Sequence, residues 1–480
     1  MLMNKLSRRG FVQVLTATAA VSALPSWVAA STKVPAKWDE AVDVVIIGSG
    51  FAGLAAAYEA KKAGATVALL EKMRVAGGNS AINGGILAVP GSPLQKKLGI
   101  KDSPELMAKD MIKAGDAMNH PDKVKALCEA AVETYRWTVD ELGVKYQDKN
   151  IKQEGGHTVP RSLFTINGSG SEIVNKELAA LEKLGVKPRL RTLMEEIIVN
   201  DEGRVVGVKI REGYRFPNKD SGKVKYLAAK RAVVLCYGGF SADAQFRQIY
   251  DPKLTNKFDT TNQPGATSEG WRAAMAIGAH VIQADQIQIL PQTSPDEKGF
   301  GIGFAWSGHV SMFGVWVDAT TGKRIVNELA NRKVRSLAIL ERLNQGHDCL
   351  AIGDAGTAAS FEEIRPGMLK QTIAEANKAV DTKKDPIGRP VNAKAKKLEN
   401  GPWYVARMSP KIHHCMGGLY TNEKAQVYHV QGHLIPGLYA AGEATGGVHG
   451  AVRLGSCGTA DALINGRIAG QQAAAQKPWM

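Results

Sequence analysis

The sequence predicts an α/β fold in which a parallel sheet is flanked by helices and interrupted by an inserted segment. An apolar run ends in the triplet Gly48, Gly50 and Gly53, and an Ala-rich helical stretch and a second apolar strand follow, ending in Glu71. Residues 285–411 contain more proline and mix strand and helix patterns, which indicates an inserted second domain. The chain then returns to glycine-rich segments and a final helix, as expected if the first domain is completed there.

The segment from Asp43 to Glu71 has the spacing of a dinucleotide-binding βαβ unit. Gly48 permits the tight turn, Gly50 lets the backbone approach a pyrophosphate, and Gly53 lets the helix pack closely on the strand. The N-terminus of that helix offers unpaired N–H groups and a positive dipole end to phosphate. Glu71 lies about 20 residues beyond the glycines, where a carboxylate accepts hydrogen bonds from ribose hydroxyls. A glycine-rich turn without a ligand would not explain this acid.

Further glycine-rich segments are suited to approach a planar ligand. Residues 77–85 contain four glycines among small polar side chains, so their backbone N–H groups can point at a ring system. A mobile surface loop is the alternative, but the position directly after the ribose-binding acid favours a ligand. A buried strand ends in Gly238 and Gly239, and further strands are predicted at about residues 186–190 and 196–199.

Residues 1–30 are predicted to be a twin-arginine signal peptide. Lys5, Arg8 and Arg9 precede an apolar segment that ends near Leu24, and small residues before residue 31 form a cleavage pattern. The apolar segment is short for a transmembrane helix, so the cleaved signal is preferred to the alternative of an uncleaved anchor. The twin-arginine route exports folded proteins. It predicts a periplasmic protein that carries its cofactor and has no stable membrane insertion after cleavage.

The composition excludes some classes of function. The formal net charge is +15, and removal of Lys5, Arg8 and Arg9 leaves about +12 over about 450 residues. Such a surface attracts anionic substrates or acidic protein partners. The basic residues form no arm or helix stripe, which argues against nucleic acid. The five cysteines are scattered without Cys-x-x-Cys spacing, so the sequence predicts no c-type haem, iron–sulfur or zinc site.

Seven motifs occur in the order found in one family. They span residues 48–53, 77–80, 84–85, 322–328, 413–418, 441–443 and 449–455. Over residues 40–475 the chain resembles the flavoprotein of the fumarate reductase/succinate dehydrogenase superfamily. It is most similar to the soluble periplasmic branch, which includes flavocytochrome c fumarate reductases and urocanate and methacrylate/acrylate reductases. The resemblance implies a Rossmann-like FAD-binding domain at residues 38–284 and 412–476, with an inserted α+β capping domain at residues 285–411.

The resemblance also implies which residues bind FAD. They are Gly48, Gly50, Ala52, Gly53, Glu71, Lys72, Gly78, Asn79, Ser80, Gly84, Gly85, Gly239, Glu443, Gly455 and Ser456. In the quinol-linked relatives, FAD is attached covalently through a histidine in the loop around Ser80. This loop contains no histidine here, so we expect non-covalent FAD.

The resemblance further implies an active site between the two domains. Arg332 aligns with an arginine that donates a proton, and His413 and Arg453 align with residues that hold a substrate carboxylate. In this chemistry, a hydride passes from flavin N5 to the β-carbon of an enoate. Arg453 and His413 would stabilise the charge that builds on the α-carbon and carboxylate, and Arg332 would supply the proton. For Arg332 the alternative is an ordinary surface arginine, and His414 is expected to be structural.

Two departures from the family bear on the substrate. Leu290 occupies the place of a histidine that grips a second carboxylate, and residues 306–316 lack the Glu and Arg that relay protons to the catalytic arginine. His309 or Asp318 would then take over the relay. Apolar groups opposite Arg453 would leave a second carboxylate unpaired, at a penalty of roughly several kcal/mol. We therefore expect a small anionic unsaturated carboxylate such as methacrylate or acrylate, with fumarate and urocanate as alternatives.

The source of electrons must lie outside the chain, because no haem motif is present. We expect a separate multihaem c-type cytochrome as donor, whose acidic surface would dock on the basic flavoprotein.

A different class of function is the alternative. In that interpretation the altered capping segment has lost catalysis, and the chain is a flavin-binding electron carrier or partner subunit.

Overall fold

The computed structural model describes residues 34–301, 304, 307–308, 310–311, 314–354, 366–391, 395–399 and 403–480. The predicted signal peptide at residues 1–30 lies outside the described residues, as does His309. Within the described ranges, no helix combines the length and apolar character that crossing a membrane requires.

The described chain is a mixture of strands and helices. The strands are β1 (Glu40–Ile47), β2 (Val67–Leu70), β3 (Ile86–Ala88), β4 (Tyr146–Lys152), β5 (Ser162–Thr165), β6 (Thr192–Val199), β7 (Val205–Glu212), β8 (Lys223–Leu235), β9 (Val281–Ile282), β10 (Ile287–Leu290), β11 (Val315–Asp318), β12 (Cys349–Asp354), β13 (Trp403–Met408), β14 (Lys411–Cys415), β15 (Gly418–Leu419), β16 (Gln426–Tyr428) and β17 (Leu434–Ala440). The helices are α1 (Phe51–Lys62), α2 (Gly78–Ile82), α3 (Pro93–Lys97), α4 (Pro104–Ala114), α5 (Pro121–Asp140), α6 (Ser171–Lys183), α7 (Ala244–Tyr250), α8 (Glu269–Ala276), α9 (Arg332–Asn344), α10 (Pro366–Thr382) and α11 (Cys457–Ala474).

The central sheet brings the carboxyl ends of four parallel strands to one edge. Its order is β16-β17-β8-β1-β2, and the β6–β7 hairpin joins it where β7 pairs antiparallel with β8. Ile47 at the end of β1 pairs with Leu70 of β2 and Leu235 of β8, and Ala440 of β17 also pairs with Leu235. Ligands of such sheets bind beyond the carboxyl ends of the strands. The loops after these strands are therefore where a site is expected, and the predicted α/β fold is confirmed.

Helices α1 and α11 cover one face of this sheet at close range. A Cβ atom at Gly466 would lie 2.5 Å from the carbonyl oxygen of Ala52, and one at Gly470 would lie 2.3 Å from that of Ala56. Only glycine permits this approach of two helices at both positions. The Ala-rich stretch and the final helix predicted from the sequence are confirmed as α1 and α11.

The segment between β10 and β14 has a sheet and an apolar core of its own. Strands β11, β12 and β13 pair antiparallel, and Val315, Val317, Leu350 and Ile352 are buried in one cluster. Strands β10 and β14 pair with each other where this inserted segment leaves and rejoins the rest of the chain. The domain boundaries at residues 285 and 411 stay a prediction.

The predicted strand at residues 186–190 is wrong. Pro188 has no N–H to donate to a neighbouring strand. Arg189 alone forms a bridge there, donating its N–H to the carbonyl oxygen of Leu69 at 2.7 Å and accepting from the N–H of Glu71 at 3.0 Å. The strand predicted at residues 196–199 is confirmed as the second half of β6.

Candidate active site

A cleft lies at the carboxyl edge of the central sheet. It begins at the β1–α1 turn and reaches the inserted segment, where Phe300, Phe304 and Arg332 line it together with His413 and Arg453. Twelve of the residues predicted to bind the cofactor line the cleft: Gly48, Gly50, Ala52, Glu71, Lys72, Gly78, Asn79, Ser80, Gly84, Gly239, Glu443 and Ser456. The structure thus brings these twelve residues and the three predicted catalytic residues to one continuous cavity.

The β1–α1 turn has the close backbone packing that a diphosphate cradle requires. Gly48 has φ +99°, and a Cβ atom there would lie 2.4 Å from the carbonyl oxygen of Cys236. Helix α1 begins at Phe51, whose N–H donates to Ser80 Oγ at 3.0 Å. The first turn of a helix has N–H groups without partners in the helix, and here they lie beside Gly50 at the cleft.

Three of the predicted cofactor glycines lie behind the cleft wall and do not line it. A Cβ atom would lie 1.8 Å from the carbonyl oxygen of Gly48 if placed at Gly53, and 2.4 Å from that of Ser169 if placed at Gly85. At Gly455 it would lie 2.6 Å from a carboxylate oxygen of Glu154. These glycines therefore act by allowing close packing of the wall.

Glu71 is held rigidly at the end of β2. One carboxylate oxygen accepts from the N–H of Ser49 at 3.1 Å and from its hydroxyl at 2.6 Å, and the other accepts from the N–H of Met73 at 2.9 Å. The side chain is buried and lines the cleft. The oxygen that accepts from Met73 has a further lone pair, so Glu71 can accept a hydrogen bond from a ribose, which is the role predicted for it.

Several residues at the cofactor end of the cleft were missed by the sequence analysis. Asn79 Oδ1 accepts from the N–H of Gln263 at 2.9 Å, and Asn79 also donates to Asn262. Lys72 donates to Thr267 Oγ1 at 2.6 Å and pairs with Glu269. These partners lie almost 200 residues away along the chain. No motif marks them, because their place in the site is decided by tertiary packing.

Arg453 and His413 form a hydrogen-bonded pair at the other end of the cleft. Arg453 Nη2 lies 2.7 Å from His413 Nε2, and His413 Nδ1 lies 2.7 Å from Thr261 Oγ1. Because a guanidinium only donates, His413 accepts at Nε2 and donates from Nδ1 to Thr261. Burial and the charges of Arg332 and Arg453 hold the pKa of His413 well below its usual value. The imidazole is therefore neutral and orients Arg453.

Arg453 is a buried cation with a spare donor. The residue is 7% exposed, and its Nε has no hydrogen-bond partner among the described residues. Within the same part of the chain, no carboxylate oxygen lies within 4.0 Å of its guanidinium. Burial and the charge of Arg332 lower the pKa of Arg453 to about 9. A buried donor without a partner is costly, so this position is suited to an anionic ligand.

Arg332 is the first residue of α9, and it is buried at the cleft. The helix is capped by Asn331, whose Oδ1 accepts from the N–H of Val334 at 3.0 Å. The Arg332 side chain is 9% exposed and lines the cleft, so the alternative of an ordinary surface arginine is wrong. Burial lowers its pKa, and the nearby carboxylate of Glu154 opposes that shift.

Gln288 links the two arginines. Its Oε1 accepts from Arg332 Nη1 at 3.1 Å, and its Nε2 donates to the carbonyl oxygen of Arg453 at 2.8 Å. Behind α9, Arg324 pairs with Glu328 at 2.5 Å inside the inserted segment. This buried pair explains the motif at residues 322–328 as a support for the turn that leads into α9.

The described apolar wall of the cleft contains two aromatic rings that the sequence analysis did not name. Phe300 and Phe304 line the cleft, and the Phe300 ring contacts the His413 ring edge-on at 5.6 Å between centroids. Leu290 is fully buried in β10 and does not line the cleft, so its predicted position opposite Arg453 is wrong. Within the segment 306–316 discussed above, the apolar residues Trp306, Met312 and Phe313 lie outside the described residues.

Asp318 does not serve as a proton relay, and that hypothesis is wrong. Its carboxylate accepts from the N–H groups of Thr320 and Thr321 at 2.8 and 3.0 Å and pairs with His347 Nδ1 at 2.9 Å. These contacts shape the turn after β11, away from the residues that line the cleft.

Glu154 is a cleft residue that the sequence analysis missed. It lies in the loop after β4, where Lys152 Nζ is 2.9 Å from Oε1 and Arg332 Nη2 is 4.0 Å from Oε2. Burial raises the pKa of Glu154, but the charges of Lys152, Arg332 and Arg335 outweigh it and lower the pKa to about 2. The group is therefore a carboxylate. A single acid in a glycine-containing loop carries no sequence signal of this role.

The fold and the cleft define a flavoprotein oxidoreductase, with a dinucleotide cradle that leads to a buried arginine cluster. The glycine turn that a side chain would fill and the rigid carboxylate of Glu71 fit the phosphates and ribose of FAD. The FAD binding domain family matches residues 43–459. The chain belongs to the fumarate reductase/succinate dehydrogenase flavoprotein family, its cofactor is FAD, and it is an FAD-dependent oxidoreductase acting on CH–CH groups.

Three similar proteins illustrate this membership. The acrylate reductase flavoprotein subunit of Shewanella woodyi is 38% identical, and the match covers 97% of each chain. The urocanate reductase of Eggerthella lenta is 35% identical over 90% of this chain and 75% of its own length. The solved structure of an open flavocytochrome c3 fumarate reductase has a TM-score of 0.72 and 30% identity, and the match covers 92% of this chain and 79% of that one.

Proposed function

We propose that the protein reduces a small α,β-unsaturated monocarboxylate of the acrylate or methacrylate type. The observation that carries this proposal is Arg453, a buried cation that lacks a carboxylate partner among the described residues. One substrate carboxylate completes this site. A second carboxylate would meet the rings of Phe300 and Phe304 or the anionic Glu154, and leaving it unpaired would cost roughly several kcal/mol.

FAD, when bound, supplies the hydride that adds to the β-carbon of the substrate. The twelve cleft-lining residues named above would hold it. Residues 72–119 contain no histidine, which supports non-covalent attachment.

The arginines then have separate tasks. Arg453 would bind the substrate carboxylate through charge-assisted hydrogen bonds, and neutral His413 keeps its guanidinium oriented. Arg332 would give a proton to the α-carbon while the hydride adds to the β-carbon, so that the double bond becomes saturated. Burial lowers the pKa of Arg332, which makes its guanidinium a better acid than an exposed one.

We also propose a periplasmic location and a separate c-type multihaem cytochrome as electron donor. The sequence at residues 1–30 supports export by the twin-arginine route. The sequence has no haem-attachment motif, and its net charge is about +12 after removal of Lys5, Arg8 and Arg9. Both observations support an acidic haem protein as the partner. The word "subunit" in the name of the Shewanella woodyi relative also supports a separate donor.

A panel of enoates tests the substrate, with reduced methyl viologen as artificial donor. The kcat/KM for acrylate and methacrylate should exceed that for fumarate and urocanate, and a preference for fumarate would overturn the substrate proposal. Arg332→Ala should abolish turnover and leave bound FAD unchanged. If the purified protein passes electrons but reduces none of the enoates, it is an electron carrier and the proposed function fails.

A further inference from the structure

The proton donor of such a reaction must be recharged in every cycle. Once Arg332 has given a proton to the α-carbon, it is a neutral guanidine, which is strongly basic. Its side chain is buried, so a proton must reach it through other groups. Of the two residues expected to relay protons, His309 lies outside the described residues, and Asp318 accepts hydrogen bonds in a turn elsewhere.

We propose that Lys152 and Glu154 form the path that returns protons from solvent to Arg332, an inference that rests on the proposed function. Lys152 and Arg332 approach different oxygens of the Glu154 carboxylate, at 2.9 Å and 4.0 Å. The side-chain exposure falls from 20% at Lys152 to 8% at Glu154 and 9% at Arg332. The three groups therefore connect the protein surface to the cleft.

The packing around Glu154 favours this arrangement. A Cβ atom at Gly455 would lie 2.6 Å from Glu154 Oε2, so glycine at this position leaves the space that the carboxylate occupies. Glu154 lies in the loop after β4 and Arg332 on α9 of the inserted segment. The path is thus formed where these two parts of the chain meet.

The proton balance of the path is complete. Lys152 Nζ gives a proton to Glu154 Oε1 and takes one from solvent water. The carboxyl group rotates about its last side-chain torsion, which is broad and two-fold, and presents the proton towards Arg332. The gap of 4.0 Å is crossed by a small side-chain movement or through one bridging water. Neutral Arg332 accepts the proton at Nη2, and Glu154 is again a carboxylate.

The charges around Glu154 favour its accepting a proton once Arg332 has lost its own. Lys152, Arg332 and Arg335 are the cations that keep the carboxylate ionised. When Arg332 loses its proton, one of these charges disappears and the affinity of Glu154 for a proton rises. The proton transfer from Arg332 to the substrate therefore raises the proton affinity of Glu154 at the moment when Arg332 needs a new proton.

Glu154→Gln tests the path, because glutamine has the same size and cannot carry a proton. With acrylate and reduced methyl viologen, kcat should fall about 100-fold, the KM for acrylate should not rise, and the FAD content should be unchanged. The solvent deuterium isotope effect on kcat should increase. Glu59→Gln is the matched control, since Glu59 pairs with Arg467 at 2.6 Å outside the cleft, and its kcat should equal that of the native protein.

A second variant distinguishes a loss of proton transfer from a change in the structure of the site. Glu154→Ala should be slow, and added formate, a small weak acid, should restore part of kcat if a proton carrier is what was lost. A kcat for Glu154→Gln within roughly threefold of the native value, or an effect on KM alone, would overturn the relay. Native protein that reduces no enoate defeats the proposed function instead, so the two failures are distinguishable.

Discussion

Replacement of Arg453 by methionine tests the anion site directly. The change removes the buried guanidinium and keeps an unbranched side chain. Two groups are available to a carboxylate, the unpartnered Nε and the Nη2 that lies 2.7 Å from His413. A hydrogen bond to a charged group contributes about 1.5–3 kcal/mol, so the two contribute about 3–6 kcal/mol. Since about 1.4 kcal/mol is a tenfold change, kcat/KM for acrylate should fall about 10²- to 10⁴-fold.

The assay is steady-state reduction of acrylate by viologen-reduced enzyme, with FAD content measured by absorbance. Arg467→Met is the matched control, because Arg467 pairs with Glu59 at 2.6 Å and does not line the cleft. That control should keep native kcat/KM. If Arg453→Met also stays within roughly threefold of the native value with FAD bound, Arg453 does not hold the substrate and the reasoning is refuted.

Three further changes have defined outcomes. Burial raises the pKa of Glu443 from 4.5 to about 7 in the folded protein. The folded protein therefore binds the proton of Glu443 more tightly than the unfolded chain does. The apoprotein should lose roughly 3 kcal/mol of folding stability as the pH rises between these two pKa values. Glu443→Gln should remove that loss in thermal unfolding scans, and an unchanged pH slope would contradict the assignment. Gly53→Ala places a methyl group 1.8 Å from the carbonyl oxygen of Gly48, so the protein should be purified without FAD or fail to fold, and a yellow, stable variant would contradict this. Thr261→Val removes the partner of His413 Nδ1 and should lower kcat/KM about fivefold, with no change in FAD content; native activity would show that His413 needs no such support.

The cofactor cradle was predictable because its determinants are local. A strand, a glycine triplet, a helix and an acid follow one another within residues 43–71, and the pairing of β1 with β2 brings Glu71 back to the glycines. The hydrogen bonds from Ser49 to Glu71 span only 22 residues. Each glycine and the acid in this unit stands where the backbone conformation or the ligand requires that residue type. The spacing of these residues along the sequence is therefore enough to predict where the ligand binds.

The substrate end was only partly predictable, because its contacts join distant segments. Gln288 and Arg453 are 165 residues apart, and Glu154 meets Arg332 across a similar separation. Aromatic residues such as Phe300 occur in cores as well as in sites, so their place in the wall is set by packing. The prediction for Leu290 was wrong for the same reason, since its position along β10 did not determine which side it faces.

In the proposed mechanism, the arrangement of the two arginines connects substrate binding to proton transfer. Arg453 belongs to the turn before α11 and Arg332 to the inserted segment, yet Gln288 hydrogen-bonds to both. In the proposed mechanism, this buried amide helps to set the distance between a substrate held by Arg453 and the proton donor. Glu154 approaches Arg332 in this same arrangement, through the space left by Gly455. In the proposed mechanism, substrate binding, proton donation and recharging of the donor therefore depend on one set of contacts, and a change that breaks these contacts should slow all three.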